Sequence, residues 1–284
     1  MNVELAEERI LVLSDRFSME HAEGRAWTKR IDAFGTMASL TGLFSQPKDD
    51  EFQLIYKERR LQPFWRIASE AVYAYERQRT YPISLGVEVR SVNIAGEDRP
   101  VVDGKITLAG VESCREERRR ENLIDGLTGL PDPNLKAYLE FGAVEATADS
   151  LQSMATEGTV IVPPQTRASM LVRDALAQAI GKIDADKVLE ETVRLQAVDL
   201  YYRPVYAFRY KRQGKEAVVE FDALTGAIKA VGGSTFEQHL GKVMDPKFLL
   251  DVSAEAANLF IPGATVAKIV LVKGMEMRNK ASGG

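Results

Sequence analysis

The sequence predicts an α+β fold in three parts. An N-terminal helical segment covers residues 1–47. A β-rich α+β domain covers 48–160. A second α+β domain, a helix with an antiparallel sheet and an apolar extension, covers 161–284. Three observations carry this expectation. Apolar residues near the N-terminus recur at helical steps. Residues 81–111 alternate in polarity between turn signals. From Thr166 onward one amphipathic helical pattern precedes three strand patterns, an order that belongs to α+β rather than β-α-β proteins. The length of 284 residues favours more than one domain, and 45% hydrophobic with 27% charged residues is ordinary for a folded chain.

The elements follow in order. Leu5, Ile10, Leu13 and Phe17, then Trp27, Ile31 and Phe34, fall one or two helical turns apart, so residues 3–44 read as helix. Ser45-Gln-Pro-Lys-Asp-Asp50 is a loop signal. Strands are expected over Tyr81–Ile94, Arg99–Val102 and Lys105–Val111, because Val87 and Val89 alternate with Glu88 and Arg90 as on a half-buried strand. Ala95–Asp98 and Asp103-Gly104 are the turns between them. Residues 112–122, with four Arg and four Glu around Cys114, read as a charged helix. Leu130–Pro133 is a loop, and no element is assigned to 134–160. Thr166 is a good N-cap, and Val172, Leu176, Ala179, Ile180 and Ile183 form one helical face. Strands are then expected over Val188–Leu195, Pro204–Lys211, Glu216–Phe221 and Ala227–Val231.

The most informative stretch is Tyr202–Gly226. Gln213-Gly214 is a natural hairpin turn. Pairing outward from it sets Lys211 opposite Glu216, Tyr210 opposite Ala217, Phe208 opposite Val219 and Tyr206 opposite Phe221. The aromatics then share a core face, while Arg209, Lys211, Glu216 and Glu220 face water. Asp222 is placed to accept turn hydrogen bonds and Gly226 to take positive φ. The helix over Thr166–Ile183, the strands Val205–Lys211 and Glu216–Phe221, and the closing Asp222-Ala-Leu-Thr-Gly226 together resemble a PepSY-type domain over about residues 166–231. The resemblance implies a small binding or inhibitory module, of a kind often associated with peptidases or membranes, and it supplies no catalytic residues.

A diverged second copy is suggested around residues 61–129. Leu61-Gln-Pro-Phe-Trp65 resembles Tyr202-Arg-Pro-Val-Tyr206, and Asp125-Gly-Leu-Thr-Gly129 resembles Asp222-Ala-Leu-Thr-Gly226. Val72-Tyr-Ala-Tyr75 echoes Val205-Tyr-Ala-Phe208. A duplication requires an insertion in the first copy, such as the β-rich segment 81–111. Chance similarity of aromatic strands is the other reading.

The chemistry expected is sparse. The net charge of -4 opposes a general attraction to nucleic acid or anionic membranes. Cys114 is the sole cysteine, which excludes an internal disulfide and a multi-thiolate zinc site. Around it the charges cancel, and the two histidines, His21 and His239, lie far off in sequence. Glu20, His21 and Glu23 do not share one helical face, and no metal-binding motif is present. Val231-Gly-Gly-Ser-Thr235 lacks P-loop spacing. Paired carboxylates such as Asp49-Asp50-Glu51 and Glu190-Glu191 read as solvated. No catalytic residue, cofactor, metal or small-molecule ligand is assigned. The acidic N-terminus lacks the pattern of a signal peptide, so the cytoplasm is the expected compartment.

The expected function is that of a non-enzymatic interaction protein, a scaffold or adaptor that binds a protein partner or itself. Two alternatives stand beside it: a hydrolase with a dispersed carboxylate and tyrosine site, and nucleic-acid binding through the basic aromatic hairpin 203–215. The apolar tract Asp251–Lys273 is expected to pack on its own domain, with self-association as the second choice and a membrane as the third.

Overall fold

The computed structural model describes residues 1–34, 48–232 and 268–272. Strand dominates it, which overturns the expected α+β class with a helical N-terminus. The chain begins with two strands, β1 (Asn2–Ala6) and β2 (Glu8–Leu13), and only then forms helix α1 (Met19–Ala33), capped by the Ser18 hydroxyl. A 3-10 turn (Asp49–Glu51) leads into β3 (Gln53–Ser84), followed by β4 (Ser91–Ile94), β5 (Glu97–Pro100) and β6 (Lys105–Asp125). A 3-10 helix (Pro133–Glu140), β7 (Ala143–Ala146), α2 (Ala148–Thr156) and β8 (Thr159–Ile161) come next. The chain continues through α3 (Ala168–Ala179), β9 (Lys187–Arg212), β10 (Lys215–Asp222) and β11 (Ile228–Gly232), and β12 (Lys268–Val272) is the last described element. Ten of these strands form one mixed sheet.

The predicted helix over 112–122 is instead the end of β6. Its charged residues fall on both faces, and Glu112, Arg115, Arg119 and Glu121 reach opposite charges on β3 and β9, so period-two pairing wins over helical spacing. The strands predicted at Val188–Leu195 and Pro204–Lys211 are one strand, β9. Helix α3 begins at Ala168, with Arg167 rather than Thr166 at the cap position. Of the tract Asp251–Lys273, residues 251–267 and 273 lie outside the described residues, and Lys268–Val272 pairs in parallel with β1.

The predicted hairpin register holds pair for pair: Lys211 with Glu216, Tyr210 with Ala217, Phe208 with Val219, Tyr206 with Phe221. The turn residues Gln213 and Gly214 have φ of 47° and 77°. Tyr206, Phe208, Val219 and Phe221 are buried, while Lys211 and Glu216 are exposed. Glu220 does not face water alone, because Arg60 on β3 bonds it at 2.8 Å.

Strands β3 and β9 lie antiparallel at the centre of the sheet, with Leu61 opposite Pro204, Gln62 opposite Arg203 and Pro63 opposite Tyr202. This register creates a local two-fold axis through Gln62 and Arg203. The outer edge of β9 carries β2, up to Tyr202, and then β10, from Val205. The outer edge of β3 carries β8, up to Leu61, and then β6, from Phe64. Each proline therefore sits at the seam between two neighbours. Proline lacks a ladder N–H and is normally confined to edges, so a seam is where a central strand tolerates it. Its carbonyl is still used: Gly126 donates to Pro63 O at 3.0 Å and Ala223 to Pro204 O at 3.1 Å.

The symmetry extends outward. Asp125 Oδ1 accepts the amides of Leu127 and Thr128, and Asp222 Oδ1 those of Leu224 and Thr225. Gly129 and Gly226 close the two turns at φ of 72° and 74°. Gln165 N–H bonds Gly126 O as Arg16 N–H bonds Ala223 O. The Trp65 indole donates to Thr166 O, and the Tyr206 hydroxyl donates to Phe17 O at the equivalent place. Both helices cover one face of the sheet. Helix α3 packs on Trp65, Ile67, Tyr73 and Tyr202, and α1 packs on Tyr206, Phe208 and Tyr210. The first half thus lends its β2 and α1 to the second half's strands.

The opposite face is largely charged. Glu4, Arg194, Glu70 and Arg119 form one straight row across β1, β9, β3 and β6. Its contacts include Arg194–Glu4 at 2.6 Å and Arg119–Glu70 at 2.7 Å. A second row centres on Asp199, which is fully buried, with Arg9 at 2.8 Å and Arg66 at 3.2 Å. Aromatics cover the rest near the axis: Phe64 stacks on Tyr201 at 5.0 Å, beneath Tyr138 of the 3-10 helix.

Candidate interaction surface

β9 leaves β3 at Glu76, opposite Lys187. Beyond that point β3 pairs only with β6, and the two run on as a ribbon as far as Ser84 and Lys105. Eight residues of strand at roughly 3.3 Å each carry this arm about 26 Å past the body. Its tip holds the small β4–β5 hairpin, turned at Ala95-Gly96 with φ of 52° and 88°. A second turn at Asp103-Gly104 returns the chain into β6, at φ of 50° and 68°. Both are places where the sequence predicts turns, and positive φ favours glycine there.

The base of the arm is tied to the body by charge. Arg79 pairs with Asp184, and the Asp186 carboxylate accepts the Gln78 amide. Across the ribbon Arg77 pairs with Glu112, which also accepts the Tyr81 hydroxyl at 2.6 Å. The Tyr81 hydroxyl and the Arg77 guanidinium hold the Glu112 carboxyl below its usual range. The Tyr81 ring lies over Gly110, where an added Cβ would stand 3.3 Å from the ring.

The two faces of the ribbon differ. The face continuous with the helix side of the body pairs Tyr81 with Leu108 and Ile83 with Ile106. The other pairs Thr80 with Ala109, Pro82 with Thr107 and Ser84 with Lys105. Tyr81 is 43% exposed and Ile83 40%, and Val87, Val102 and Val111 are more open still. Apolar groups this open on a projecting element gain by burial against something else.

The outer edge of β6 is also open. Among the described residues no strand pairs with it between Thr107 and Glu121. From Glu112 to Glu121 that edge holds eight charged residues in ten. Such charges blunt an exposed edge against stray pairing.

The residues weighed from sequence are scattered. Cys114 is half-buried on β6, opposite Tyr75, and its sulfur contacts Glu112 at 3.9 Å. His21 stacks on Phe17 at 5.2 Å, far from the cysteine in the fold, and His239 lies outside the described residues. Tyr206, Phe208 and Tyr210 are buried beneath α1, so bases cannot stack on them. One carboxylate and tyrosine group does converge: the Tyr138 hydroxyl donates to Asp222 and accepts from Arg203 at 2.7 Å. Burial pushes the Tyr138 hydroxyl up. These three groups satisfy one another and hold the 3-10 helix to the sheet. Among the described residues no group of three or more His, Cys, Asp or Glu is placed to hold a metal ion. None of the described helices is long and apolar enough to cross a membrane.

The expected half-buried strand Tyr81–Ile94 is two strands, since β3 ends at Ser84, β4 starts at Ser91 and Val87 lies 92% exposed in the turn between them; its valines alternate with no partner strand beside them. The projection of the arm is not legible in sequence, because the long strand β3 before Tyr81 carries no clear alternation. Comparison with protein families, with curated proteins and with solved structures finds no match.

Proposed function

We propose that this chain is a non-enzymatic binding protein that engages a protein partner, or itself, through the arm formed by residues 77–112. The observation that carries the reading is the arm: a projecting two-stranded ribbon, anchored at its base by ion pairs, with Tyr81, Ile83 and Val111 exposed along it. A ribbon of two strands is marginal alone in water, and packing or further strands stabilise it. The body supplies a mount of two equivalent β-α-β-β runs, β2-α1-β3-β6 and β8-α3-β9-β10. Their likeness to PepSY-type domains, which are mostly binding or inhibitory modules, supports the same reading.

The test is an armless protein in which Asn-Gly joins Gln78 directly to Val111. These residues already face each other across the ribbon, as a two-residue hairpin turn requires. Circular dichroism and melting should show the body retained. Self-association and protein capture from extract should be lost. An armless protein that keeps every interaction of the full chain refutes the proposal.

A further inference from the structure

Resting on the arm as the binding element, we infer that its occupant is a second copy of this chain, paired β6 edge to β6 edge in antiparallel fashion about Ala109. The argument begins with backbone direction. Asp125 N–H donates outward to Leu130 O, and Lys105 N–H outward to Val102 O. The β3–β6 register has no shift between these points. Odd-numbered residues of β6 therefore turn their amides and carbonyls away from β3. At Thr107, Ala109 and Val111 those groups lie along the open edge, available to another strand.

Charge then selects the segment. Ile106–Val111 is an uncharged run on β6, followed by the eight charges of 112–121. Pairing within 112–121 would press Arg and Glu of one copy against those of the other in many registers. Pairing within 106–111 places each charged stretch beyond the other copy's run. Lys105 and Glu112 bracket the run with opposite charges, so an antiparallel copy brings the Lys105 end of each strand to the Glu112 end of the other.

Charge also selects the partner. Residues 77–112 hold five basic and five acidic side chains, a neutral strip that suits contact with itself. A two-fold contact uses the same patch on both copies. The result is a four-stranded sheet, β3–β6–β6–β3, on which Tyr81, Ile83 and Leu108 of both copies line one continuous face beside Ile106, which its own chain already buries. That meets the need of a marginal two-stranded ribbon for more strands.

The experiment is sedimentation of the full chain across the micromolar range, beside three variants. Ala109→Pro removes an outward amide and leaves the bonds to β3 intact. A double variant, Thr107→Lys with Ala109→Lys, charges the edge without touching the core, since both side chains are exposed. Thr80→Lys is the control, directly opposite Ala109 but on β3, away from the β6 edge. The parent and Thr80→Lys should sediment as dimers. The two edge variants should dissociate at least about tenfold more readily, with unchanged melting if the edge lies outside the fold's own ladder. The inference is overturned if the parent is monomeric throughout, or if both edge variants stay as dimeric as the parent. Should the parent be monomeric while the armless protein loses a captured protein, self-pairing falls and the arm as binding element stands. Should neither effect occur, both fall.

Discussion

The two-fold relation between the halves makes equivalent positions directly comparable, and Asp125 and Asp222 provide the sharpest test. Each carboxylate closes the same turn. Asp125 Oδ1 accepts the amides of Leu127 and Thr128, both at 2.9 Å, and the Thr128 hydroxyl at 3.2 Å. Asp125 is only half-buried, so water replaces much of what alanine removes. With a typical hydrogen bond worth about 1 kcal/mol net, Asp125→Ala should cost about 1–2 kcal/mol. Asp222 is 8% exposed. Besides the amides of Leu224 and Thr225, at 2.9 and 2.8 Å, it accepts the Tyr138 hydroxyl and lies 3.5 Å from the Arg203 guanidinium. Alanine there leaves buried donors without an acceptor, at about 1–3 kcal/mol each for the groups that water cannot reach. Arg203 keeps its bond to Gln62 and its place over the Tyr138 ring, which limits the loss. Asp222→Ala should therefore cost about 3–5 kcal/mol, some 2 kcal/mol more than its counterpart. For a chain of this size that difference separates the two melting temperatures by about 4–8 °C. Scanning calorimetry of both variants against the parent decides the matter. Equal depressions, or a larger one for Asp125→Ala, would show that the 3-10 helix is not held through Asp222.

Two further outcomes follow from the packing and from the arm base. Phe208 is fully buried between α1 and the sheet, so Phe208→Ala should lower stability by about 3–5 kcal/mol in denaturant titration, whereas a loss below 1 kcal/mol would deny that α1 seals this core. Acid should loosen the arm before the body: Glu112 and Asp184 both titrate below their usual range, Glu112 through Tyr81 and Arg77, Asp184 through Arg79. A depressed carboxylate contributes fully above its unfolded pKa of about 4 and loses that contribution as pH falls through its lower folded value. Amide exchange at residues 77–84 and 105–112 should accordingly rise, relative to the central strands, as pH drops below about 4 once intrinsic exchange is corrected. Uniform protection of arm and body through that window would contradict the assigned ion pairs.

Some of this architecture is legible in the residues alone. The hairpin from Tyr206 to Phe221 is written in the alternating aromatics of its first strand, bounded by Gln213-Gly214 and closed by Asp222, and each of its predicted pairs is present, although Ala207 and Val218 are buried on the face expected to meet water. The helix from Ala168 is legible in its apolar spacing. The turns at Ala95–Asp98 and Asp103-Gly104 are legible because their chemistry is local. The likeness between Asp125–Gly129 and Asp222–Gly226 is visible in sequence, and the two segments occupy equivalent places.

Other parts are decided only where distant strands meet. β3 is buried on both faces from Arg60 to Trp65, and a strand enclosed on both sides loses the alternation that would betray it. Pro63 and Pro204 speak against central strands until the seams that accommodate them are assembled from β8 with β6 and from β2 with β10. The N-terminal strands show helix-like spacing over a few residues and become strands because β9 offers them a parallel edge. Residues 112–122 could serve a solvated helix or a strand equally well. What selects the strand is a set of partners far away in sequence: Glu70 beside Arg119, Arg66 beside Glu121 and Glu190 beside Arg115. Local pattern fixes an element when its partner lies within a turn's reach. For this run of arginines and glutamates the opposing charges arrive from β3 and β9, and only the assembled sheet brings them there.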